Sequence, residues 1–421
     1  MTVRLIIVCL FVSSAAATAG EEVARNWPRF RGPDGTGHSA ESNLPTKWDS
    51  DSIAWKLELP MSGHSSPVIW GNRIFLTGTT GSASKVQRHV LCLDRDTKKV
   101  LWKKQVAEGG GEKLHKMNSW ATASCATDGK LVVAFFGPGG LHCFDMDGDL
   151  LWKHTELGNF VGSWGVAASP VIIGDMVVQN CDAQGDSYLL AVNKNTGKKI
   201  WKTPRRAKPR GGWSTPVLIK TKDHTELLLN GEFGVQSYEP ASGKPLWFCK
   251  SFNGRGAPAP VFGRGLVYVV NGKPGDVYAV KPGGQGDVTG THMKWHTGRG
   301  GGRDLPSPIL TDKYLLVIGM NGIGTGYDAV TGKELWKERL GGNFSASPVA
   351  ADGKVYAAAE DGTVSVLKVG DKCEVLAKNK IESPLSESFR SSMAVSDGQL
   401  FLRSDKFLYC IGNRTQKLSQ R

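Results

Sequence analysis

Gly326-Tyr-Asp-Ala-Val-Thr-Gly-Lys-Glu-Leu-Trp336 is one copy of an eleven-residue unit that recurs along the chain. Similar units occupy 191–201 (AVNKNTGKKIW), 237–247 (SYEPASGKPLW) and 92–102 (CLDRDTKKVLW), and a shorter copy occupies 143–152 (CFDMDGDLLW). Each unit predicts two short β-strands joined by a turn, because Thr-Gly or Ser-Gly tolerates positive φ and the preceding polar residue accepts amide hydrogen bonds. The final tryptophan is a large apolar wedge. Repeated wedges of this kind indicate sheets packed on one another.

A second recurrent element sets the length of the repeat. A small residue, a proline and an apolar pair recur at positions 40 to 57 residues apart, with weaker copies at Ser124 and Met393; the prolines are Pro67, Pro170, Pro216, Pro260, Pro308 and Pro348. A polar turn and a second apolar run follow each of them. Four short strands in such a period are typical of a propeller blade.

The tryptophans also predict how many blades there are and how the ring closes. Six repeats end in Trp102, Trp152, Trp201, Trp247, Trp295 and Trp336, and the seventh has an apolar residue near Leu376 instead. The eighth repeat stops one strand short after Ile411, and Ile53–Leu57, which contains Trp55, can supply that strand. We therefore predict an all-β, eight-bladed propeller of four-stranded antiparallel blades, closed by the N-terminal strand. Seven blades would require a weak copy, such as the last, to be something else.

The first residues have the composition of an export signal. Arg4 is followed by an apolar run from Leu5 to Val12 and by small residues ending in Ala17-Thr18-Ala19. We predict a signal peptide over 1–19 and one propeller domain over 20–421, made of a coil (20–50), the blades (51–412) and a tail (413–421). The coil, with its Pro and Gly, is expected to drape over the ring. The protein is then periplasmic or extracellular, soluble and not membrane-spanning.

The charge leaves the partner open. The chain has 52 Lys and Arg against 39 Asp and Glu, and several of its lysines fall in the repeat turns. An ordinary solvated surface explains this excess, and an acidic glycan or an anionic surface would also match it. Export argues against nucleic acid as a partner.

Cysteines help to define the register. Cys92, Cys143 and Cys410 share one column of the repeat with small residues, namely Ala191, Ser237, Ala279, Gly326 and Ser365. We interpret the column as a tight packing position in which disulfides are not expected. The pairing of Cys125, Cys181, Cys249 and Cys373 stays open, and no cysteine or histidine spacing predicts a metal site.

The unit, the period and the blade number together resemble the pyrroloquinoline-quinone (PQQ)-like β-propeller repeats over about Asn26–Gly412. The similarity is greatest to the non-enzymatic branch that includes the propeller lipoprotein of the outer-membrane β-barrel assembly machinery. Quinoprotein dehydrogenases of the superfamily carry two consecutive cysteines and bind calcium beside the quinone, whereas this chain has no Cys-Cys pair and few acids before its proline positions. The resemblance therefore implies no cofactor, with PQQ and calcium as the alternative. The lipoprotein branch differs too, because Cys9 is a poor lipid-attachment site.

Connections between blades gather on one face of a propeller, around its axis, and we predict the binding rim there. The candidates are aromatic, cationic or polar residues shortly before the proline positions: His64, Asn118, Trp120, Trp164, Trp213, Arg255, Arg303, Asp304, Phe344 and Arg390. Such tryptophans can stack on a flat ring, a sugar or a peptide side chain while arginines hold anionic groups, or they can simply cap the blades. No catalytic residue is predicted.

Two classes of function follow. The favoured hypothesis is a non-catalytic interaction or assembly scaffold at the cell envelope that binds an envelope protein or peptide. The alternatives are a PQQ-dependent quinoprotein oxidoreductase of the alcohol dehydrogenase type and a glycan-binding propeller.

Overall fold

The computed structural model describes residues 25–160, 162, 164–205, 211–250, 255–271, 275–299, 305–382 and 385–413. The predicted signal peptide and most of the predicted tail lie outside these residues. Within them the strands form eight antiparallel sheets that succeed one another along the chain, and the first strands of neighbouring sheets contact each other around the axis. The predicted eight-bladed β-propeller is confirmed.

The first four blades contain these strands. Blade 1 has β2 (Val68–Trp70), β3 (Arg73–Ser82), β4 (Lys85–Asp94) and β5 (Val100–Gly109); blade 2 has β6 (Ala126–Thr127), β7 (Leu131–Phe135), β8 (Leu141–Asp145) and β9 (Leu150–His154). Blade 3 has β10 (Val171–Ile173), β11 (Met176–Asn180), β12 (Tyr188–Asn193) and β13 (Lys199–Pro204); blade 4 has β14 (Val217–Lys220), β15 (Thr225–Gly231), β16 (Gly234–Tyr238) and β17 (Pro245–Lys250).

The remaining blades follow in order. Blade 5 has β18 (Val261–Gly263), β19 (Leu266–Val270), β20 (Val277–Val280) and β22 (Met293–Thr297); blade 6 has β23 (Ile309–Thr311), β24 (Tyr314–Ile318), β25 (Ile323–Asp328) and β26 (Glu334–Arg339). Blade 7 has β27 (Val349–Ala351), β28 (Lys354–Ala358), β29 (Thr363–Val369) and β30 (Cys373–Lys380); blade 8 has β31 (Ala394–Ser396), β32 (Gln399–Arg403), β33 (Phe407–Ile411) and β1 (Ile53–Glu58). Two 3₁₀ turns (Ser50–Ser52, Gly137–Gly139) and a one-turn helix, α1 (Thr289–His292), are the other elements of the described residues.

The N-terminal strand closes the ring, as predicted. β1 pairs with β33 antiparallel, and Trp55 lies opposite Cys410. Arg95 of blade 1 reinforces this junction because its guanidinium donates to the carbonyl and hydroxyl oxygens of Ser396 and to Gln399 in blade 8. Arg403 of blade 8 donates in the opposite direction, to the carbonyl oxygen of Ser65.

Most of the repeated tryptophans join one blade to the next. The indole lies in the outer strand of one blade and donates its N–H to a carbonyl oxygen in the following blade's turn, where each one except Trp336 also packs beside a glycine. Five such bonds have lengths of 2.7 to 3.1 Å: Trp102 to Met146, Trp152 to Lys194, Trp201 to Pro240, Trp295 to Ala329 and Trp336 to Gly370. The packing joins blades because each indole satisfies a polar group on its neighbour while burying its rings.

Trp247 breaks this pattern. Its indole N–H turns back into its own blade and donates to the fully buried carboxylate of Glu226, 2.6 Å away. The Ser237 hydroxyl donates to the same carboxylate, and Nε2 of His224 lies 2.5 Å from its other oxygen. A short fifth strand, β21 (Gly286–Asp287), then pairs in parallel with β17 and covers the outer edge of blade 4.

The small-residue column has a physical cause. In most blades its members lie directly opposite the wedge tryptophan, as Cys92 opposite Trp102. Blade 7 differs from the sequence-based assignment by one residue, because Val366 and not Ser365 occupies the column, opposite Ala377. The valine fills the space that a tryptophan takes elsewhere. All seven cysteines of the described residues are free thiols, and burial raises the pKa of the Cys92 thiol to about 12.

The N-terminal segment crosses the face opposite the blade connections. Trp27 exchanges two backbone hydrogen bonds with Ile69 of blade 1, and the carbonyl oxygen of Gly37 accepts from Ala350 of blade 7. The segment therefore passes under the axis of the ring. In the part of the chain that the structure describes, no helix is long and apolar enough to cross a membrane.

Candidate functional site

A series of side-chain hydroxyl groups joins neighbouring blades along the inner wall of the propeller. Every junction between blades has one, except a single junction. The residue before each proline position accepts a hydrogen bond from the backbone N–H of the equivalent residue in the preceding blade, over 2.8 to 3.1 Å. We call this series the hydroxyl ring; its members are Ser66, Ser124, Ser169, Thr215, Ser307, Ser347 and Ser392. Ala259 takes the remaining position, so the ring lacks a hydroxyl between blades 4 and 5.

A cavity of about 200 Å³ lies on the axis, inside the hydroxyl ring. It opens among the connections between blades, on what we call the connection face. Six residues that the sequence placed on the rim line it: His64, Asn118, Trp164, Trp213, Arg255 and Arg390. A volume of this size holds several waters or a single side chain of a partner.

The N-terminal segment forms the floor of this cavity. Phe30 lines it from below. The next residue, Arg31, is buried, and its Nη2 donates to the carbonyl oxygen of Pro308, 2.7 Å away, while Nη1 donates to that of Ser307. Burial lowers the pKa of Arg31 to about 9. The cavity is consequently a blind pocket that is entered from the connection face.

An aromatic and cationic cluster forms one side of the mouth. Trp164 is stacked with His115, with 5.3 Å between the ring centroids and 13° between the planes. The guanidinium carbon of Arg255 lies 3.7 Å from the centroid of the Trp164 ring. Trp213 lies 6.3 Å from Trp164, and its indole N–H donates to the carbonyl oxygen of Gly165. The indole holds the guanidinium of Arg255 at the mouth, where an arginine can bind an anionic group.

An arginine paired with a carboxylate and a neutral imidazole lie elsewhere around the cavity. Arg390 donates to the carbonyl oxygen of Lys116 and lies 3.5 Å from the Glu360 carboxylate. Burial, reinforced by the charges of Arg390 and Arg403, lowers the pKa of His64 to about 3, so this imidazole is neutral at physiological pH. Among the described residues that line the cavity, none is Asp or Glu. The described wall therefore suits an anionic guest.

The same wall does not suit a quinone with its calcium ion. Calcium takes six to eight oxygen ligands that normally include carboxylates. The described lining offers arginines, imidazoles, indoles and hydroxyls instead. Nor does any group of three or more His, Cys, Asp or Glu side chains within the described ranges come close enough to hold a metal ion.

The other predicted rim residues lie elsewhere. Trp120 donates its indole N–H to the carbonyl oxygen of Glu112 in its own connection, outside the cavity lining. Phe344 is only 1% exposed and packs in the core between blades 6 and 7, so it contributes to packing rather than to the rim. Arg303 and Asp304 fall in 300–304, outside the described residues, and stay predictions.

Sequence reasoning missed several residues of the site. His115 and Met117 line the cavity from the same connection as Asn118, and Phe30 reaches it from the opposite face. The hydroxyl ring had a visible signal, since Ser or Thr precedes most of the proline positions, but the pattern was interpreted only as a marker of the repeat.

Comparison with known proteins identifies a family that this chain matches. The family model for "Outer membrane protein assembly factor BamB" matches residues 34–223, 86–274 and 273–406. The curated protein of that name from Burkholderia pseudomallei (strain K96243) is 24% identical over 184 residues, which are 43% of this chain and 41% of that protein. The chain thus matches about two-fifths of the length of that relative.

Solved structures with this fold belong to both functional classes. BamB from Moraxella catarrhalis superposes with a TM-score of 0.60 at 13% identity, over 87% of this chain and 98% of that one. A europium-containing methanol dehydrogenase superposes with a TM-score of 0.70 at 12% identity, over 95% and 100%. A quinohemoprotein alcohol dehydrogenase from Comamonas testosteroni gives 0.66 at 10% identity, over 97% and 84%. At such identities these likenesses show the fold alone.

Proposed function

Because this chain belongs to the outer membrane protein assembly factor BamB family, we propose that it is a non-catalytic scaffold of the cell envelope that binds another envelope protein through its connection face. In this proposal residues 1–19 direct export, and the propeller acts in the periplasm or outside the cell. Residues 20–421 together act as one binding domain.

The observation that carries the proposal is the arrangement of Arg255, Trp164 and His115 at the mouth of a blind, cationic pocket. Rims of this kind combine a rigid aromatic surface with a planar hydrogen-bonding cation, and such residues dominate the energetics of protein interfaces. The partner that fits is an extended or looped segment with an acidic side chain near an aromatic or aliphatic one.

We assign roles within the rim accordingly. Trp164 and Arg255 make the first contacts, and Trp213 and Asn118 hold Trp164 in place, the latter by donating to its carbonyl oxygen over 2.7 Å. Arg390 lies on the far side of the mouth as a second anchor for an anionic group. Arg303 and Asp304, which lie outside the described residues, stay proposed members of the rim.

Co-purification from the native envelope tests the proposal. The Arg255→Ala and Trp164→Ala substitutions, separately and together, are expected to remove the co-purifying protein while the melting temperature stays within a few degrees of the wild type. Arg264→Ala is the matched control, because it removes an arginine from an exposed turn of blade 5 where side-chain exposure is 43%. An unchanged set of co-purifying proteins in the double variant would contradict the proposal. A sharp fall in melting temperature would instead show that Trp164 is a structural cap.

A further inference from the structure

A band of exposed apolar side chains runs along the outer perimeter of blades 1 to 3. We call it the outer apolar arc. Its members stand just before the wedge tryptophans in the outermost strands, and each is 44 to 50% exposed: Val100, Leu101, Leu150, Leu151 and Ile200. Isolated exposed apolar residues are ordinary on protein surfaces, whereas a set repeated in neighbouring blades is not.

The arc is restricted to these three blades. At the equivalent positions the other blades carry exposed polar or small residues, such as Lys294, Glu334 and Ala54. Others carry apolar residues that are partly covered, such as Leu246 beside the additional strand β21. At these strand positions, the exposed large apolar residues of the described chain therefore fall on blades 1 to 3.

The members of the arc are linked into one surface. Trp102 attaches the strand end that bears Leu101 to the turn that precedes Leu150, because its indole packs on Gly148 and donates to Met146. Trp152 repeats this link to the turn before Ile200, by packing on Gly197 and donating to Lys194. The outer strands that carry the arc are thus each fixed to the turn of the next blade.

Lysines surround the arc, and the nearby carboxylates are engaged. The exposed lysines next to it are Lys98, Lys99, Lys103, Lys153, Lys198, Lys199 and Lys202. Asp147 is paired with Arg73 at 2.8 Å and Asp149 lies 3.9 Å from Lys104, while Asp96 accepts from Asn72. The surface as a whole has a surplus of positive charge.

We propose that the outer apolar arc docks on a membrane surface that carries anionic lipid headgroups. Apolar side chains flanked by lysines are the composition by which peripheral elements enter the boundary between headgroups and acyl chains. The leucines and Ile200 would enter that boundary while the lysines, whose aliphatic stems can lie along it, contact lipid phosphates. The propeller axis then lies parallel to the membrane plane, and the opening of the connection face is directed along that plane. This inference is independent of the function proposed for the rim.

Vesicle co-sedimentation tests the inference with the purified full chain. The vesicles contain phosphatidylcholine alone or phosphatidylcholine with about a third phosphatidylglycerol, at low and physiological salt. The expected result is binding to the anionic vesicles that is about tenfold or more weaker for Leu101→Ser/Leu150→Ser/Ile200→Ser than for the wild type. Val330→Ser is the matched control, since Val330 is 52% exposed on blade 6, outside the arc, and its loss should leave binding unchanged.

Each other outcome contradicts the proposal. Absence of binding to the anionic vesicles by the wild-type chain refutes it directly. Binding that is lost in Lys99→Glu/Lys199→Glu but kept in the triple serine variant would show that the protein adsorbs to the vesicles by electrostatic attraction alone. If vesicles do not bind and the triple serine variant loses a co-purifying protein, the arc is a protein interface. Melting temperatures of all variants establish that the comparison is between folded proteins.

Discussion

The indole N–H of Trp152 donates to the carbonyl oxygen of Lys194, 2.7 Å away in the next blade. The same indole lies so close to Gly197 that a Cβ there would be 2.8 Å from its Cγ atom. One side chain therefore provides a hydrogen bond and a buried aromatic surface at a single junction, and it leaves room only for glycine at the contact. Different substitutions test the indole and the small residues that it packs against.

Truncation of this wedge should destabilise the whole ring. We expect Trp152→Ala to lower the free energy of unfolding by about 3–5 kcal/mol, because it leaves a cavity and an unsatisfied carbonyl group. Chemical denaturation followed by intrinsic fluorescence measures the effect. Lys153→Ala, at the exposed neighbouring position, should change stability by less than about 0.5 kcal/mol. Equal effects of the two substitutions would show that the indole does not join the blades.

The small-residue column opposite the wedge tryptophans should not tolerate a larger side chain at Gly326. We expect Gly326→Ala to destabilise the protein by about 1–3 kcal/mol, because the new Cβ would overlap the Trp336 indole. Gly109→Ala is the control, since a Cβ at Gly109 meets nothing within 4 Å. The midpoint of thermal unfolding distinguishes them. A neutral Gly326→Ala would mean that the Trp336 indole can move aside.

Completion of the hydroxyl ring should stabilise the junction between blades 4 and 5. We expect Ala259→Ser to raise the free energy of unfolding by about 0.5–1.5 kcal/mol, because the new hydroxyl can accept from the backbone N–H of Thr215. Ser347→Ala, which removes the hydroxyl that accepts from the backbone N–H of Ser307 over 3.0 Å at another junction, should cost a similar amount. Slower amide exchange at Thr215 in the first variant is the direct readout. Unchanged exchange there would show that no such bond forms.

The buried imidazole of His64 should make stability depend on pH below neutrality. Its pKa is lowered to about 3 in the folded chain, so between pH 6.5 and pH 3 the unfolded chain binds the extra proton. Stability must then fall as the pH falls through that range, by up to about 1.4 kcal/mol per pH unit from this group. We expect His64→Gln to flatten the dependence, measured by urea unfolding at several pH values. Parallel curves for the two proteins across pH 4 to 6 would contradict the assignment.

The blade number and the closure could be predicted because a wedge tryptophan marks the outer strand of every blade except the seventh. Trp55 lies within the short run Ile53–Leu57 that precedes the first repeat, and this run supplies the strand that is missing after Ile411. The register of blade 7 could not be predicted to the residue. Blade 7 has no wedge tryptophan to mark the column, and the bulge that follows Val366, as it follows the column residue of blades 1, 2, 3, 5 and 6, depends on pairing across strands that a single strand does not reveal.

The candidate site was less predictable for a related reason. Sequence reasoning identifies a connection, but the direction of a side chain depends on how neighbouring blades pack. Asn118 and Phe344 come from equivalent connections, yet one lines the cavity and the other is buried between blades. Trp247 illustrates the same point, because the carboxylate of Glu226, in the second strand of blade 4, draws the indole into its own blade.

The pairing of Trp55 with Cys410 has a consequence for the order of synthesis. The strand that leaves the ribosome first among the blades is bonded to the one that leaves last, so assembly from the N-terminus onward cannot finish until Ile411 is available. The nascent chain is until then an open crescent with two unpaired edges. Contacts between such distant parts of a chain form slowly, and this late joining step would limit how fast the finished protein accumulates.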